Sequence, residues 1–159
     1  MRTVGFEEHD HESCRADGVA AAADHCAALG LQFTPVRKRT LEILLGEHRA
    51  MGAYDVLEIL GQEGFGAQPP VVYRALEFLV KNGFVHKIER LNAFVGCVHP
   101  GADHTPAFLI CRECHTVAET RARPAMNLLK ELAGESGFRV ERAVIEAEGL
   151  CPNCHEATG

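Results

Sequence analysis

Apolar positions recur at helical spacing through the first part of the chain, and strand-like runs follow it. Helices are predicted over residues 19–29, from Thr34-Pro35 to about Gly46, over 53–60, and from Pro69-Pro70 to Lys81. Two strands, 84–89 and 93–98, then form a hairpin that turns at 90–92. Helices followed by a β-hairpin are the order of a winged helix-turn-helix, in which one helix enters the major groove of DNA.

After residue 100 the pattern changes to that of a small α/β unit. Strands are predicted over 107–111 and 116–120, a helix over 124–133, and an alternating, half-buried strand over 138–147. We therefore predict an α+β fold, with an N-terminal winged helix-turn-helix and a small C-terminal α/β domain. The predicted divisions are a flexible arm over 1–17, the winged-helix domain over 18–99 and the C-terminal domain over 100–159.

Composition and charge narrow the class of protein. The chain is 47% hydrophobic and 24% charged, as globular proteins are. It has no run of eighteen apolar residues and no secretory signal pattern at its start, so we expect a cytoplasmic protein without membrane contact. The net charge of −6 is uneven, being −4 over residues 1–33, +1 over 34–90 and −3 over 91–159. Any nucleic-acid surface should therefore lie in the middle block.

Four of the seven cysteines form two Cys-x-x-Cys pairs, Cys111 with Cys114 and Cys151 with Cys154. In a reducing compartment this spacing favours metal ligation over disulfides. Two such knuckles complete a tetrahedral four-sulfur zinc site, which is closed to water and therefore structural. The alternative is two unconnected thiol pairs or redox motifs.

A second candidate set consists of His86, Cys97, His104 and Glu119. His86 and Cys97 lie on the two strands of the predicted hairpin, His104 in the linker, and Glu119 in the C-terminal unit. Each of these residues alone is more typical of an ordinary core or surface position. A metal held by all four would tie the two halves together, so that occupancy would fix the angle between them.

Candidate DNA contacts lie on the predicted helices. Tyr73 and Arg74 occupy the exposed face of the helix before the hairpin, and Arg37 begins a basic run in the first turn of an earlier helix. A solvated helix face explains these residues equally well. Five side chains near the N-terminus could also bind metal, but a flexible arm in which they occur by chance is the simpler explanation; they are His9, His11, Cys14, His25 and Cys26.

Between Gly30 and Cys154 the chain resembles the ferric uptake regulator family. The resemblance rests on Thr34-Pro-Val-Arg, Ala53-Tyr-Asp-Val-Leu, Pro70-Val-Val-Tyr-Arg-Ala-Leu-Glu-Phe-Leu, Gly83-Phe-Val-His-Lys-Ile-Glu and the two knuckles in order. Within the family the chain is most similar to the branch of zinc uptake regulators, through His104-Thr-Pro-Ala-Phe-Leu-Ile-Cys111 and Val144-Ile-Glu-Ala-Glu-Gly-Leu-Cys151.

The resemblance implies a homodimeric repressor whose C-terminal domain forms the dimer. It implies about two zinc ions per chain, a structural one on the two knuckles and a regulatory one on His86, Cys97, His104 and Glu119. It also implies binding to a near-palindromic operator that controls zinc uptake genes, with Tyr54 as a further DNA contact. Neither a membrane nor a small-molecule substrate is expected as a partner.

Two alternatives remain. The same scaffold could sense iron, manganese, nickel or peroxide, although a thiolate ligand favours zinc. A zinc-dependent hydrolase could use His86, His104 and Glu119, but four protein ligands leave no open position and the chain has no His-Glu-x-x-His segment. We therefore do not expect an enzyme. Whether His99, His115 or His155 binds a further metal is left open by the sequence.

Overall fold

The computed structural model describes residues 11–46, 49–66, 68–97 and 106–159. The described chain is an α+β fold, as predicted, in which a helical half with a small hairpin precedes a three-stranded sheet with its own helices. The predicted boundary near residue 100 and the first ten residues of the predicted arm lie outside the described residues. Among the helices described, none is long and apolar enough to cross a membrane.

Helix α1 (His11–Leu29) begins earlier than its predicted start at residue 19, so residues 11–17 of the predicted arm are helical. Gly18 in this helix packs closely on Leu45: a Cβ atom at Gly18 would lie 2.5 Å from Leu45 Cδ1, so a larger residue would displace that side chain. Gly18, Ala22 and Cys26 follow one another at a spacing of four and are all buried. Small side chains on this face let α1 pack closely on the following helix.

Helix α2 (Pro35–Leu45) begins where the Thr34-Pro35 pair predicts. Thr34 has extended backbone angles, and its hydroxyl accepts a hydrogen bond from the backbone N–H of Arg37 at 3.3 Å. Helices α3 (Ala53–Gln62) and α4 (Pro69–Lys81) follow. The apolar faces of the three helices form one core, which includes Leu41, Leu44, Val56, Leu60, Val72, Leu76 and Leu79.

The predicted hairpin is present as strands β1 (Val85–Ile88) and β2 (Ala93–Gly96), which are antiparallel. A 3₁₀ turn (Glu89–Leu91) joins them, and Asn92 closes it with a left-handed φ of 47°. The segment before α3 runs along the outer edge of the hairpin, because Met51 and Phe94 exchange backbone hydrogen bonds of 2.9 and 2.8 Å. The hairpin is thereby held against the helical half.

The C-terminal half is a sheet of order β4-β3-β5. Strand β3 (Pro106–Cys111) pairs antiparallel with β4 (Val117–Arg121) and parallel with β5 (Ile145–Gly149). Helix α5 (Arg123–Glu135) connects β4 to β5, and α6 (Pro152–Thr158) ends the chain. The predicted strand over 138–147 was wrong in its first part. The pairing of β3 with β5 starts at Ala107 opposite Ile145, so residues before Ile145 have almost no strand partner. Phe138, in this unpaired part, is 66% exposed.

The hairpin is buried on both faces. Val85 and Phe94 belong to the helical core, whereas Ile88 and Val95 pack against Phe108, Ile110 and Val117 of β3 and β4. These five residues of the second cluster join the two halves through apolar contact. Because side chains alternate along a strand, the hairpin residues that face β3 and β4 are His86, Ile88, Val95 and Cys97.

Candidate metal centres and nucleic-acid interface

The four knuckle cysteines form one cluster. The Sγ atoms of Cys111, Cys114, Cys151 and Cys154 all lie within 4.8 Å of one another. The Sγ atoms of Cys114 and Cys151 are 3.8 Å apart. Sulfurs bound to one tetrahedral zinc, with Zn–S bonds of about 2.3 Å, lie about 3.8 Å from each other. The donor set and its spacing therefore fit a zinc ion.

Parallel pairing of β3 and β5 brings the two knuckles together. Cys111 ends β3 opposite Gly149 of β5, and the backbone N–H of Arg112 extends the pairing with a 2.9 Å hydrogen bond to the carbonyl of Gly149. The first knuckle is a tight turn, in which His115 takes a left-handed φ of 60° and its N–H donates to the Cys111 carbonyl at 3.0 Å. Both Cys-x-x-Cys segments thus lie at the same end of the sheet.

Hydrogen bonds within this cluster shift the thiol pKa values in opposite directions. The backbone N–H of Cys114 is the main cause that lowers the pKa of Cys111, to about 6 from an ordinary 9.0. The hydroxyl of Thr116, 3.1 Å from Cys114 Sγ, lowers the pKa of Cys114. Hydrogen bonding to the Cys151 sulfur raises the pKa of Cys154 to about 12. Four sulfurs this close cannot all ionise without a cation, so the cluster has the electrostatics of a metal site.

A second cluster joins the halves. One ligand atom each from His86, Cys97 and Glu119 lies within 4.8 Å of the others. His86 Nε2 is 3.6 Å from Glu119 Oε1, and Cys97 Sγ is 4.0 Å from the same oxygen. Ligands of one four-coordinate zinc with these atom types lie about 3.3 to 3.6 Å apart, so only small shifts separate this cluster from a zinc site.

The predicted fourth member, His104, lies outside the described residues. Cys97 and Glu119 are buried and His86 is half-buried, so the cluster lies at the margin of the apolar layer between the hairpin and the sheet. Glu119 lies beside His86 and Cys97, and a buried carboxylate also favours a neighbouring positive charge. A divalent cation would supply the positive charge, and the donor set of nitrogen, sulfur and oxygen suits zinc.

Three of the four predicted DNA contacts are exposed. Tyr54 begins α3 and is 68% exposed, and Tyr73 of α4 is 44% exposed. Arg74, the next residue of α4, is also exposed. These side chains stand on the two helices of the helix-turn-helix, where contacts with phosphate or base edges are made in that motif.

Arg37 is placed differently. Its guanidinium carbon lies 3.8 Å from the centre of the Phe78 ring, and its Nη1 donates a hydrogen bond to the carbonyl of Gln32. Its neighbour Arg39 forms ion pairs with Glu63 at 2.6 Å and Glu42 at 3.0 Å. These two cations of the basic run therefore have partners within the chain.

The N-terminal histidines and cysteines do not gather into a metal site within the described part of the chain. His25 Nε2 lies 3.4 Å from Asn82 Oδ1, and its ring stacks edge-on with Phe84 at 5.2 Å. Cys26 is 1% exposed in the packing face of α1, and burial raises the pKa of its thiol. His9, His99 and the side chain of His11 lie outside the described residues.

Sequence reasoning missed a polar contact between the hairpin turn and β5. The carboxylate of Glu146 accepts hydrogen bonds from the backbone N–H groups of Glu89 at 2.7 Å and Arg90 at 3.1 Å. Arg90 pairs with Glu148 at 2.7 Å, and Arg142 pairs with Glu89 at 3.1 Å. These partners are more than fifty residues apart, and no local pattern could have indicated them.

Known proteins agree with this architecture. Residues 28–148 match the Ferric uptake regulator family. The zinc uptake regulation protein of Escherichia coli (strain K12) is 40% identical over 139 residues, 87% of this chain and 81% of that protein. A structure of a zinc uptake regulator complexed with zinc and DNA is 38% identical, with a TM-score of 0.84 over 91% of this chain and 97% of the other.

The protein XcZur has been solved in two forms. Holo XcZur gives a TM-score of 0.78 at 37% identity, over 92% of this chain and 99% of that one. Apo XcZur gives a TM-score of 0.53 at 39% identity, over 90% of this chain and 99% of that one. Matches of this extent define the class, and this chain belongs to the ferric uptake regulator family.

Proposed function

We propose that this protein is a zinc-responsive transcriptional repressor that binds operator DNA as a zinc-loaded homodimer and controls genes of zinc uptake and homeostasis. The names of its relatives support zinc as the metal and DNA as the partner. A regulator of this kind acts where the chromosome and the intracellular zinc pool are, so we expect it in the cytoplasm.

The Cys111–Cys114–Cys151–Cys154 cluster is the proposed structural zinc site. Four thiolates saturate a tetrahedral ion and exclude water, so the ion would act on folding and not on chemistry. It would hold the end of β3 against the turn after β5. That end of the sheet also contacts the helical half, because Arg49 forms a β-bridge with Thr116.

The second cluster carries the proposal, because its ligands come from both halves of the molecule. His86 and Cys97 belong to the hairpin, and Glu119 belongs to the sheet. An ion bound by them, and by His104 as the predicted fourth ligand, would favour the arrangement in which hairpin and sheet are in contact. Zinc then promotes DNA binding if that arrangement is the one that fits DNA.

The hairpin transmits this arrangement to the DNA-reading helix. Helix α4 ends at Lys81 and β1 begins at Val85, so only three residues separate the helix from the strand that carries His86. The Cys97 N–H donates to the Phe84 carbonyl at 2.8 Å, which fixes the second ligand to the same segment. Greater similarity to holo than to apo XcZur supports this as the metal-bound arrangement.

We propose that Tyr73 and Arg74 of α4 contact the major groove, with Tyr54 of α3 beside them. A dimer would place two such helices in successive major grooves, which explains why the expected operator is near-palindromic. The proposed role of Arg37 is a phosphate contact made by a side chain that Phe78 already holds in place.

The surface proposed for the second copy of the chain is on α5 and β5. Leu128, Leu129 and Leu132 of α5 are between 41% and 56% exposed, and β5 lies at the edge of its sheet. Exposed leucines and an edge strand are features that proteins usually cover by association. Family members form dimers through this half, so a second copy is the occupant that we propose.

Neither alternative has comparable support. Sensing of iron, manganese, nickel or peroxide does not explain a buried thiolate among the ligands as well as zinc does. The hydrolase alternative conflicts with membership of a family of transcriptional regulators.

Metal specificity of DNA binding tests the proposal. The zinc-loaded protein is first used to select a DNA duplex from a random pool. Metal-stripped protein should then bind that duplex only after metal is returned. We expect zinc to restore binding at a lower buffered free concentration than ferrous, manganous or nickel ions, and the bound species to be a dimer by light scattering. Restoration by another metal at lower concentration, or binding that ignores metal, would overturn it.

A further inference from the structure

Phe108 of β3 lies next to two of the proposed regulatory ligands, which come from opposite halves of the molecule. Its ring centre is 5.4 Å from that of His86, with the planes tilted by 55°. In the β3–β4 register, Phe108 lies directly opposite Glu119. Side chains that face each other in an antiparallel pair lie on the same side of the sheet with Cβ atoms about 5 Å apart.

We propose that Phe108 is a positioning residue for the regulatory zinc site, which orients His86 and closes the site to water so that the metal stays four-coordinate. This inference rests on the proposed function. It adds that a side chain outside the ligand set determines zinc affinity and coordination number.

Orientation follows from the aromatic contact. A tilted pair at this distance is a favourable geometry for two rings, and it limits rotation of the His86 ring about its side-chain bonds. Phe108 itself is 3% exposed within the cluster formed with Ile88, Val95, Ile110 and Val117. A ring held on all sides in this way can hold the ring of a neighbouring ligand.

Water exclusion follows from the same burial. Zinc accepts four ligands without strain, whereas an added water would make the site resemble those preferred by metals of higher coordination number. Phe108 is buried beside His86 and opposite Glu119. A smaller, rotatable side chain there would leave room for solvent beside the metal.

The test compares Phe108→Leu with Ile110→Val. Ile110 is the matched control because it lies on the same strand and face and is 2% exposed, but its cross-strand partner is Val117 and not a ligand. Both substitutions remove carbon atoms from the same cluster. Only the first removes the ring that contacts His86.

Protein whose four-cysteine site already holds zinc is titrated with Co²⁺, which absorbs visible light much more strongly when four-coordinate than when six-coordinate. Zinc affinity is then measured by competition. We expect Phe108→Leu to weaken zinc binding at the regulatory site by about tenfold and to lower the Co²⁺ absorption per bound ion. Ile110→Val should behave as the wild type does.

Two results would overturn the inference: Phe108→Leu indistinguishable from wild type, or both variants changed to the same degree. A different result would count against the proposed function instead. If the wild type itself shows no four-coordinate, thiolate-bound Co²⁺ beyond the four-cysteine site, the regulatory site is not where we place it.

Discussion

Arg37 and Arg74 are both cations of the winged-helix half, but their surroundings differ. Arg37 lies over the Phe78 ring of α4 and thereby connects α2 to α4, whereas Arg74 is exposed on α4 itself. A cation held against an aromatic face contributes to folding. An exposed cation on a helix proposed to contact DNA is expected to contribute chiefly to binding.

The two arginines should therefore differ in their effect on stability, whereas both are proposed to contact DNA. Arg37→Ala is expected to lower the free energy of unfolding by about 1 kcal/mol, because it removes the cation–π contact and the packing of the side chain. Arg74→Ala should change stability by less than about 0.5 kcal/mol but weaken operator binding by about 1–3 kcal/mol.

Urea unfolding at fixed protein concentration and anisotropy with operator DNA measure the two effects. If Arg37→Ala leaves the unfolding midpoint unchanged, the contact with Phe78 is not part of the stability of the fold. If Arg74→Ala lowers stability as much as Arg37→Ala does, its role on α4 is structural.

Among the elements, the hairpin turn is held to β5 by charged groups. The Glu146 carboxylate accepts hydrogen bonds from the backbone N–H groups of Glu89 and Arg90 in this turn. The turn is a short 3₁₀ helix, and the first amides of a helix lack partners within it. Hydrogen bonds to a carboxylate are stronger than those between neutral groups. This contact fixes the tip of the hairpin to the C-terminal half without any metal.

Glu146→Ala should free these amides. We expect the exchange of the Glu89 and Arg90 amide hydrogens with solvent to become about tenfold faster, which corresponds to about 1.4 kcal/mol for the lost hydrogen bonds. The control is Glu141→Ala, which removes an exposed carboxylate that precedes β5. Unchanged protection of both amides in Glu146→Ala, measured by NMR, would show that the contact does not hold the turn.

The ends of an element could be predicted from the sequence where local residues determine them, but not where contacts with distant residues determine them. Thr34 and Pro35 begin α2 through a side-chain cap and a fixed φ, both of which are readable from sequence. The part of α1 before residue 19 includes Gly18, which fits against Leu45, and the start of β5 depends on where β3 begins. In both cases tertiary packing overrides the local pattern.

The sites follow the same distinction. The spacing of the knuckle cysteines indicates a metal site. The parallel pairing of β3 with β5, which brings the two knuckles together, cannot be read from the sequence. His86 and Cys97 could be placed together because a hairpin pairs its own strands. The contacts of Glu146 with the turn and of Phe108 with His86 depend on how the two halves pack.

At the scale of the whole molecule, the hairpin is the layer between two cores. One face packs on the helices through Val85 and Phe94, and the other packs on the sheet through Ile88 and Val95. The proposed metal ligands His86 and Cys97 lie on the second face, so a bound ion would add to an apolar contact that already favours the same arrangement. Zinc would then shift a population between arrangements of the halves.

Operator binding as a function of buffered free zinc, measured by fluorescence anisotropy, tests this account most directly. Wild type is compared with Cys97→Ser, and with Cys14→Ser as a control because Cys14 belongs to neither cluster. We predict that wild type and Cys14→Ser gain DNA affinity over one narrow zinc range, while Cys97→Ser stays unbound with an intact fold and dimer. If Cys97→Ser responds to zinc as the wild type does, the site between the two halves is not the sensor and the central claim is wrong.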